Sequence, residues 1–295
     1  MKKILVIKHD KIGDFVLTWP AFYLLKQAIP DATIDVFVAK VITPFAEACP
    51  YIDNAIADSG DDKAIAEHIA KQNYDAVIVA HSEMRMYKLL KNIDIPYKLV
   101  PKHNWYQYLY KHRANTDYKK GEGCWRGSCM LIEHFLHHHG YPIPSLPKQY
   151  WDMSEYKPKW QQYYGQQGDE KLIFIHPGTG GSSGSVAEVD LAKMISQINR
   201  LTQTACHFVL TYNGELVLAQ NIQALLADQP IRVSIAKPLS SLRDFAESLV
   251  AADMFIAGST GPLHIAGLHN VPTVGFYAGR RSAPHIRWQT LTEPS

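Results

Sequence analysis

The stretch Asp253-Met254-Phe255-Ile256-Ala257-Gly258-Ser259-Thr260-Gly261-Pro262-Leu263-His264-Ile265-Ala266 decides the fold. Met254 to Ala257 is an unbroken apolar run, the mark of a buried parallel strand. It breaks at Gly258-Ser259-Thr260-Gly261 and predicts a helix restarting with Pro262 in its first turn, where a missing N–H costs nothing. Such a turn leaves free N–H groups beside the positive end of a helix dipole, a natural seat for phosphate. A second turn of this kind, His176-Pro177-Gly178-Thr179-Gly180-Gly181-Ser182-Ser183-Gly184, follows the apolar run Leu172 to Ile175. Two phosphate-grade turns in one half of the chain point to a nucleotide or a nucleotide sugar.

Outward from that stretch the same alternation repeats. In the second half, strands are expected at 172–175, 207–210, 231–235, 254–257 and 273–276, with helices at 188–201, 215–227, 240–250 and 262–268. In the first half, strands are expected at 4–7, 33–39 and 76–80, with helices at 15–28 (Pro20 a blemish), 64–71, 83–91 and 124–139. Residues 102–123 lose the pattern and turn polar and aromatic. The connector 141–160 carries prolines at 142, 144, 147 and 158 and is the best boundary, dividing the chain into 1–150 and 151–295. Strands alternating with helices imply parallel, doubly wound sheets. The expected architecture is α/β, two facing Rossmann-like domains that share a cleft at the carboxyl ends of their strands.

Composition narrows the class. The chain has 295 residues, 46% apolar and 20% charged, with a net charge of +2, as expected of a globular protein with a substantial core. No apolar run approaches the ~20 residues of a membrane span. Met1-Lys2-Lys3 leads straight into Ile4-Leu5-Val6-Ile7, too short for a secretory core. Four cysteines make no disulfide scaffold, so the expected compartment is the cytoplasm. The near-neutral charge and the lack of a dense basic stripe argue against nucleic acid. The turn after the first strand lacks G-x-G-x-x-G spacing, which argues against a dehydrogenase.

That first turn, Lys8-His9-Asp10-Lys11-Ile12-Gly13-Asp14, is itself a site candidate. Gly13 permits an unusual backbone angle or a close ligand approach. Asp14 either caps the next helix or serves as a general base toward an acceptor hydroxyl, and the two roles are compatible. Lys8 and Lys11 read as solvated cations that can also meet an anionic acceptor. The segment 102–113 interleaves cations, Lys111 and Arg113 among them, with aromatics; it suits a membrane interface or phosphorylated glycolipid, or equally a packed aromatic loop. His134 and His138 share a helix face beside Cys124 and Cys129, yet the spacing fits no standard zinc site. No metal is expected.

The Ile12-Gly13-Asp14 turn, Pro20 and Leu24-Leu25-Lys26 resemble the opening of the lipopolysaccharide heptosyltransferases, glycosyltransferase family 9. The resemblance continues through His176-Pro177-Gly178, the block Ser259 to Ala266 and Val271-Pro272-Thr273-Val274-Gly275-Phe276-Tyr277, in order, over nearly the whole chain. It implies a GT-B fold and inverting transfer of a heptose from an ADP-activated donor to a lipopolysaccharide inner-core acceptor, without an obligatory metal or cofactor. It makes Asp14 the catalytic base. It assigns the donor to Thr179, Gly180, Gly181, Glu215, Ser259, Thr260, Gly261 and His264, and the acceptor to the domain holding Lys8, Lys11, Lys111 and Arg113. The implied place is the cytoplasm, at the inner face of the inner membrane as a peripheral protein.

The chain departs from the family pattern at three places. Ser259 stands where an acid is usual, and Gly184-Ser185-Val186-Ala187 replaces a basic-aromatic pair. The third is the end at Ser295, earlier than usual for the family, which implies a shortened or absent final bracing helix. Arg280, Arg281 and Arg287 are candidate replacement phosphate clamps or a solvated basic tail. The departures keep two alternatives open: a transferase using another nucleotide sugar, and a nucleotide-binding member without transfer activity.

Overall fold

The unbroken apolar runs 4–7, 76–79, 172–175 and 254–257 become central strands of two parallel sheets, one in each of two units, Met1–Tyr150 and Trp151–Ser295. A computed structural model describes residues 1–181, 186–279 and 285–292. The first unit holds β1 (Lys3–Ile7), β2 (Thr33–Ala39), β3 (Asn54–Asp58), β4 (Ala76–Val79), β5 (Tyr97–Pro101) and β6 (His112–Ala114). Their order is β3-β2-β1-β4-β5-β6, every neighbouring pair parallel. The second holds β7 (Lys171–His176), β8 (Cys206–Leu210), β9 (Arg232–Ile235), β10 (Met254–Gly258) and β11 (Thr273–Phe276). It runs β11-β10-β7-β8-β9, again all parallel. Both are doubly wound orders that reverse once, between β1 and β4 and between β7 and β10, and ligands of such sheets sit outside the strand ends at that reversal.

The strands bury because both faces are covered. Ile4, Leu5, Ile7, Val77, Ile78 and Val79 are fully enclosed, and on one face Leu5, Ile7, Val77 and Val79 pack on Ile65, Ile69, Met86 and Leu90 of the crossover helices. In the second unit Ile175, Phe208, Leu210 and Ile256 meet Leu191, Ile195, Ala219 and Ile222 in the same way. Helix starts follow local chemistry. Asp61 accepts from the N–H groups of Lys63 and Ala64 at 3.0 and 3.1 Å, and Ser241 accepts from Asp244 N–H at 3.1 Å; such a cap is worth about 1 kcal/mol.

Four local expectations are corrected. The helix read across 15–28 is two helices, Ile12–Val16 and Trp19–Ala28. Pro20 opens the second, where its missing N–H has no partner to lose. Residues 102–123 are not patternless, since they hold a 3-10 turn, Trp105–Leu109, and the edge strand β6. Strands β3 and β5 were not legible: β3, Asn-Ala-Ile-Ala-Asp, is short and only half buried, and β5 is interrupted by Lys98. The connector is not all loop, for a helix runs Lys157–Tyr163 with Trp160 buried.

Candidate functional site

The reversal of the first sheet gathers charge. Leaving β1, Lys8 N–H bonds to Phe37 O, and leaving β4, His81 N–H bonds to Ile7 O, so the two strand ends present their side chains together. Lys8 Nζ donates to Asp10 Oδ2 at 2.7 Å. His81 Nδ1 lies 3.1 Å from the same oxygen, and His81 Nε2 lies 3.0 Å from Glu83 Oε1. The Asp10 bond first, and the Glu83 bond after it, hold the His81 imidazole above its ordinary pKa against a burial that works to lower it. Burial works to raise the Asp10 carboxyl, but His81 and Lys8 outweigh it and hold it below the usual carboxylate range. His9, edge-on to His81 at 5.0 Å between ring centroids, is pushed down by burial and then by the His81 charge. Asp10 Oδ1, His9 Nδ1 and Ser82 Oγ are buried and lack protein partners.

Asp14 stands beside this cluster as the third residue of the helix Ile12–Val16. The N-cap is Lys11, so Asp14 does not cap the helix. Its main-chain carbonyl accepts from Thr18 Oγ1 at 2.9 Å, whereas among the described residues no bond is recorded to its carboxylate. Burial, then the negative charge of Asp10, raises its pKa; Lys8, His81 and Lys11 oppose the rise. A carboxylate with free lone pairs and a raised pKa is suited to take a proton. Gly13 is helical and absent from the left-handed positions, so no unusual backbone angle calls for a glycine there. Lys8 is 8% exposed and paired, not solvated as expected; Lys11 is exposed.

The reversal of the second sheet brings together a glycine loop and a helix start. After β7, Gly180 and Gly181 take φ of +52° and +73°, angles that side chains resist, in an exposed loop where main-chain N–H groups can face a ligand. Gly178 matters for a different reason: a Cβ there would overlap the Glu215 carboxylate and push that side chain aside. Glu215, from the turn after β8, thereby lies over the loop after β7. Next to β7, the turn after β10 starts the helix Gly261–Leu268 with Thr260 as N-cap and Pro262 in the first turn. Thr260 bonds no helix N–H through its side chain. Its Oγ1 is buried without a partner, and so is Nδ1 of His264 one turn along. Burial lowers the pKa of His264 to about 4, keeping the ring neutral. Buried polar atoms normally find partners, so two orphans near one helix N-terminus make this turn a candidate ligand seat.

Residues 63–293 match glycosyltransferase family 9 (heptosyltransferase). A Haemophilus influenzae protein named "Putative glycosyltransferase" is 36% identical over 307 residues, covering 99% of this chain and 87% of that one. The chain belongs to glycosyltransferase family 9. Lipooligosaccharide heptosyltransferase 2 of Campylobacter jejuni is 21% identical over 305 residues, covering 97% of this chain and 84% of that protein. The structure of E. coli ADP-heptose lipopolysaccharide heptosyltransferase II superposes with a TM-score of 0.81 at 18% identity, covering 99% of this chain and 88% of that one. The fold class is accordingly GT-B α/β, and the protein is a glycosyltransferase.

Within this glycosyltransferase, Thr179, Gly180 and Gly181 share the second sheet's reversal with Ser259, Thr260, Gly261 and His264, and Glu215 joins them from β8. The first sheet gathers Lys8, Lys11 and Asp14 but not Lys111 and Arg113. Those two belong to the edge strand β6 and the residue before it, with β4 and β5 between them and β1, about 14 Å at ordinary strand spacing. Arg113 is spent on its own loop, donating to Tyr108 O and Tyr110 O at 3.2 and 2.9 Å. His81 and Glu83 escaped sequence reading; the signal was their position just past the strand at 76–80, and only the sheet order puts that strand beside β1. His176, 2.9 Å from Thr211 Oγ1 through Nδ1, is a buried brace between β7 and the turn after β8. Among the described residues no His/Cys/Asp/Glu group fit for a metal occurs. His138 and His139 pack against Tyr97. Gly184, Ser185, Arg280, Arg281 and Ser295 lie outside the described residues; Arg287 is exposed, with its guanidinium 5.3 Å from the Trp288 ring centroid.

Proposed function

We propose that this family 9 enzyme moves a heptose from an ADP-activated donor to the inner core of lipopolysaccharide, by inversion, at the cytoplasmic face of the inner membrane. The observation that carries the donor half is the orphaned pair Thr260 Oγ1 and His264 Nδ1 at the start of the helix Gly261–Leu268. A diphosphate there accepts from the helix N-terminus and from the Gly180-Gly181 loop, whose fixed dipoles match the charge that grows on the leaving group. Neutral His264 donates one N–H to it without adding a charge. Glu215, held by Gly178, accepts from ribose hydroxyls. The acceptor half rests on Asp14, which takes the proton from the attacking hydroxyl as the new glycosidic bond forms. The donor is a substrate, and the transfer calls on no resident cofactor. The acceptor is a glycolipid, and no nucleic acid takes part.

The test is incubation with ADP-heptose and a heptose-free inner-core glycolipid, with the acceptor read by mass spectrometry. A gain of one heptose, lost in Asp14→Ala, supports the reading. ADP binding by calorimetry without any gain sinks the heptose or the acceptor and points to another nucleotide sugar, in keeping with Ser259. Absence of both overturns the donor assignment.

A further inference from the structure

Lys111 and Arg113, which the chemistry at Asp14 does not use, belong to a surface of their own on the first unit. From Lys88 to Arg113 the chain carries six lysines and arginines against a single carboxylate, Asp94. Within this stretch the 3-10 turn Trp105–Leu109 has three residues per turn, which aligns Trp105 with Tyr108 on one side. The turn is held firmly from behind. Gln107, 1% exposed, accepts from the N–H groups of His103 and Asn104. Tyr106 Oη donates to Ser82 O, and Arg113 donates to two carbonyls while lying 4.8 Å from the centre of the Tyr108 ring. Yet Trp105, Tyr108 and Leu109 are 72%, 60% and 48% exposed. A tip so anchored, with its apolar side chains left in water, is a built feature rather than a frayed one.

A cavity of about 280 Å³ adjoins the tip, with Leu109 in its wall beside Lys91, Lys98, Lys111 and His112 and no carboxylate in its lining. Lys98 Nζ spends two protons on Leu90 O and Ile93 O, at 2.8 and 2.6 Å, and keeps a third. Lysines clustered around an aromatic-aliphatic tip are the complement of an anionic lipid surface: the rings sit at the headgroup level, and each cation meets a phosphate.

We propose that this face docks the enzyme on anionic phospholipid, with Trp105, Tyr108 and Leu109 entering the headgroup region and the lysine cavity receiving a lipid phosphate. This deepens the membrane-facing part of the proposed function and rests on no assignment of donor or sugar.

The full chain is sedimented with vesicles of phosphatidylcholine alone, or of equal parts phosphatidylcholine and phosphatidylglycerol. Binding to the anionic vesicles only, weakening with salt, is expected. Trp105→Ala with Tyr108→Ala, and Lys91→Gln with Lys111→Gln, are each expected to weaken it by about tenfold at unchanged thermal midpoint. Equal binding to neutral vesicles, no binding to either, or full binding by both double variants overturns the proposal. So does inorganic phosphate that the lysine variant fails to bind while the native chain does, with no vesicle binding, which assigns the cavity to a soluble phosphate. The experiment uses no nucleotide, so its failure is distinct from failure of the transfer assay.

Discussion

His81 and Lys8 hold one and the same oxygen of Asp10, at 3.1 and 2.7 Å. Lys8, the His81 ring and one buried carboxylate thus border Asp14 and act on it in opposite senses: Asp10 raises its pKa, while Lys8 and His81 lower it. A base works only when deprotonated, so transfer should fail on the acid side as pH falls through the Asp14 pKa, above the ordinary carboxylate value.

Asp10→Asn and His81→Gln should therefore displace the acid limb of kcat/KM in opposite directions. Removing the Asp10 charge moves it to lower pH; removing the His81 charge moves it higher. Full pH profiles of the two variants check this, and a shift of both limbs in one direction would mean that Asp14 is not the titrating base.

Asp14→Asn should lower kcat by about 10²- to 10⁴-fold, the usual worth of a general base, while ADP binds as before. Calorimetry beside steady-state kinetics separates the two. An equal loss of nucleotide affinity would move Asp14 from proton transfer to donor binding.

Thr260→Val should stabilise the free enzyme and weaken nucleotide binding. The hydroxyl is buried without a partner and caps nothing, so an isosteric methyl removes a desolvation cost of about 1–3 kcal/mol. The extended backbone of Thr260, φ −137° and ψ 166°, suits a β-branched residue. A raised thermal midpoint together with a weaker ADP Kd is the expected pair; a lowered midpoint would show that the hydroxyl is satisfied in the free protein.

Gly178→Ala should displace Glu215, because the new methyl takes the place of its carboxylate. Affinity for the nucleoside part of the donor should fall, and Glu215→Ala should reproduce most of that loss. If the two losses add in full in the double variant, Gly178 acts through something other than Glu215.

Stability should fall steeply as pH drops from about 6.5 to 4. His176, His264 and His269 are buried in the second unit with pKa values lowered by burial to about 4. Across that window the unfolded chain binds more protons than the folded one, so stability rises with pH and is lost toward acid. With all three titrating, the slope approaches about 4 kcal/mol per pH unit. Denaturant titrations at pH 7, 6 and 5 measure it, and His269→Gln should remove about one third. A flat profile would show that these rings protonate while folded.

What could be read without the fold was what local pattern carries. The helix at 188–201 and the strand–turn–helix around Thr260 stand where apolar period and Pro262 put them, because a buried parallel strand and a helix start leave marks within a few residues. Strands β3 and β5 left none: one is half exposed, and the other carries a lysine that donates to the carbonyls of Leu90 and Ile93. The positions of Asp14 after β1 and of Gly180 and Gly181 after β7 were legible for the same local reason.

Sequence alone determined a parallel α/β chain with two glycine-bearing turns after strands of its second half and a carboxylate after its first strand, since strand burial, helix starts and glycine turns are short-range properties. Tertiary structure alone decided which distant residues meet. Pairing of β4 with β1 put His81 on Asp10, pairing of β8 with β7 put Glu215 over Gly178, and the edge position of β6 took Lys111 and Arg113 away from Asp14. Register between strands far apart in the chain is chosen by packing of the whole sheet, and no short window of sequence records it.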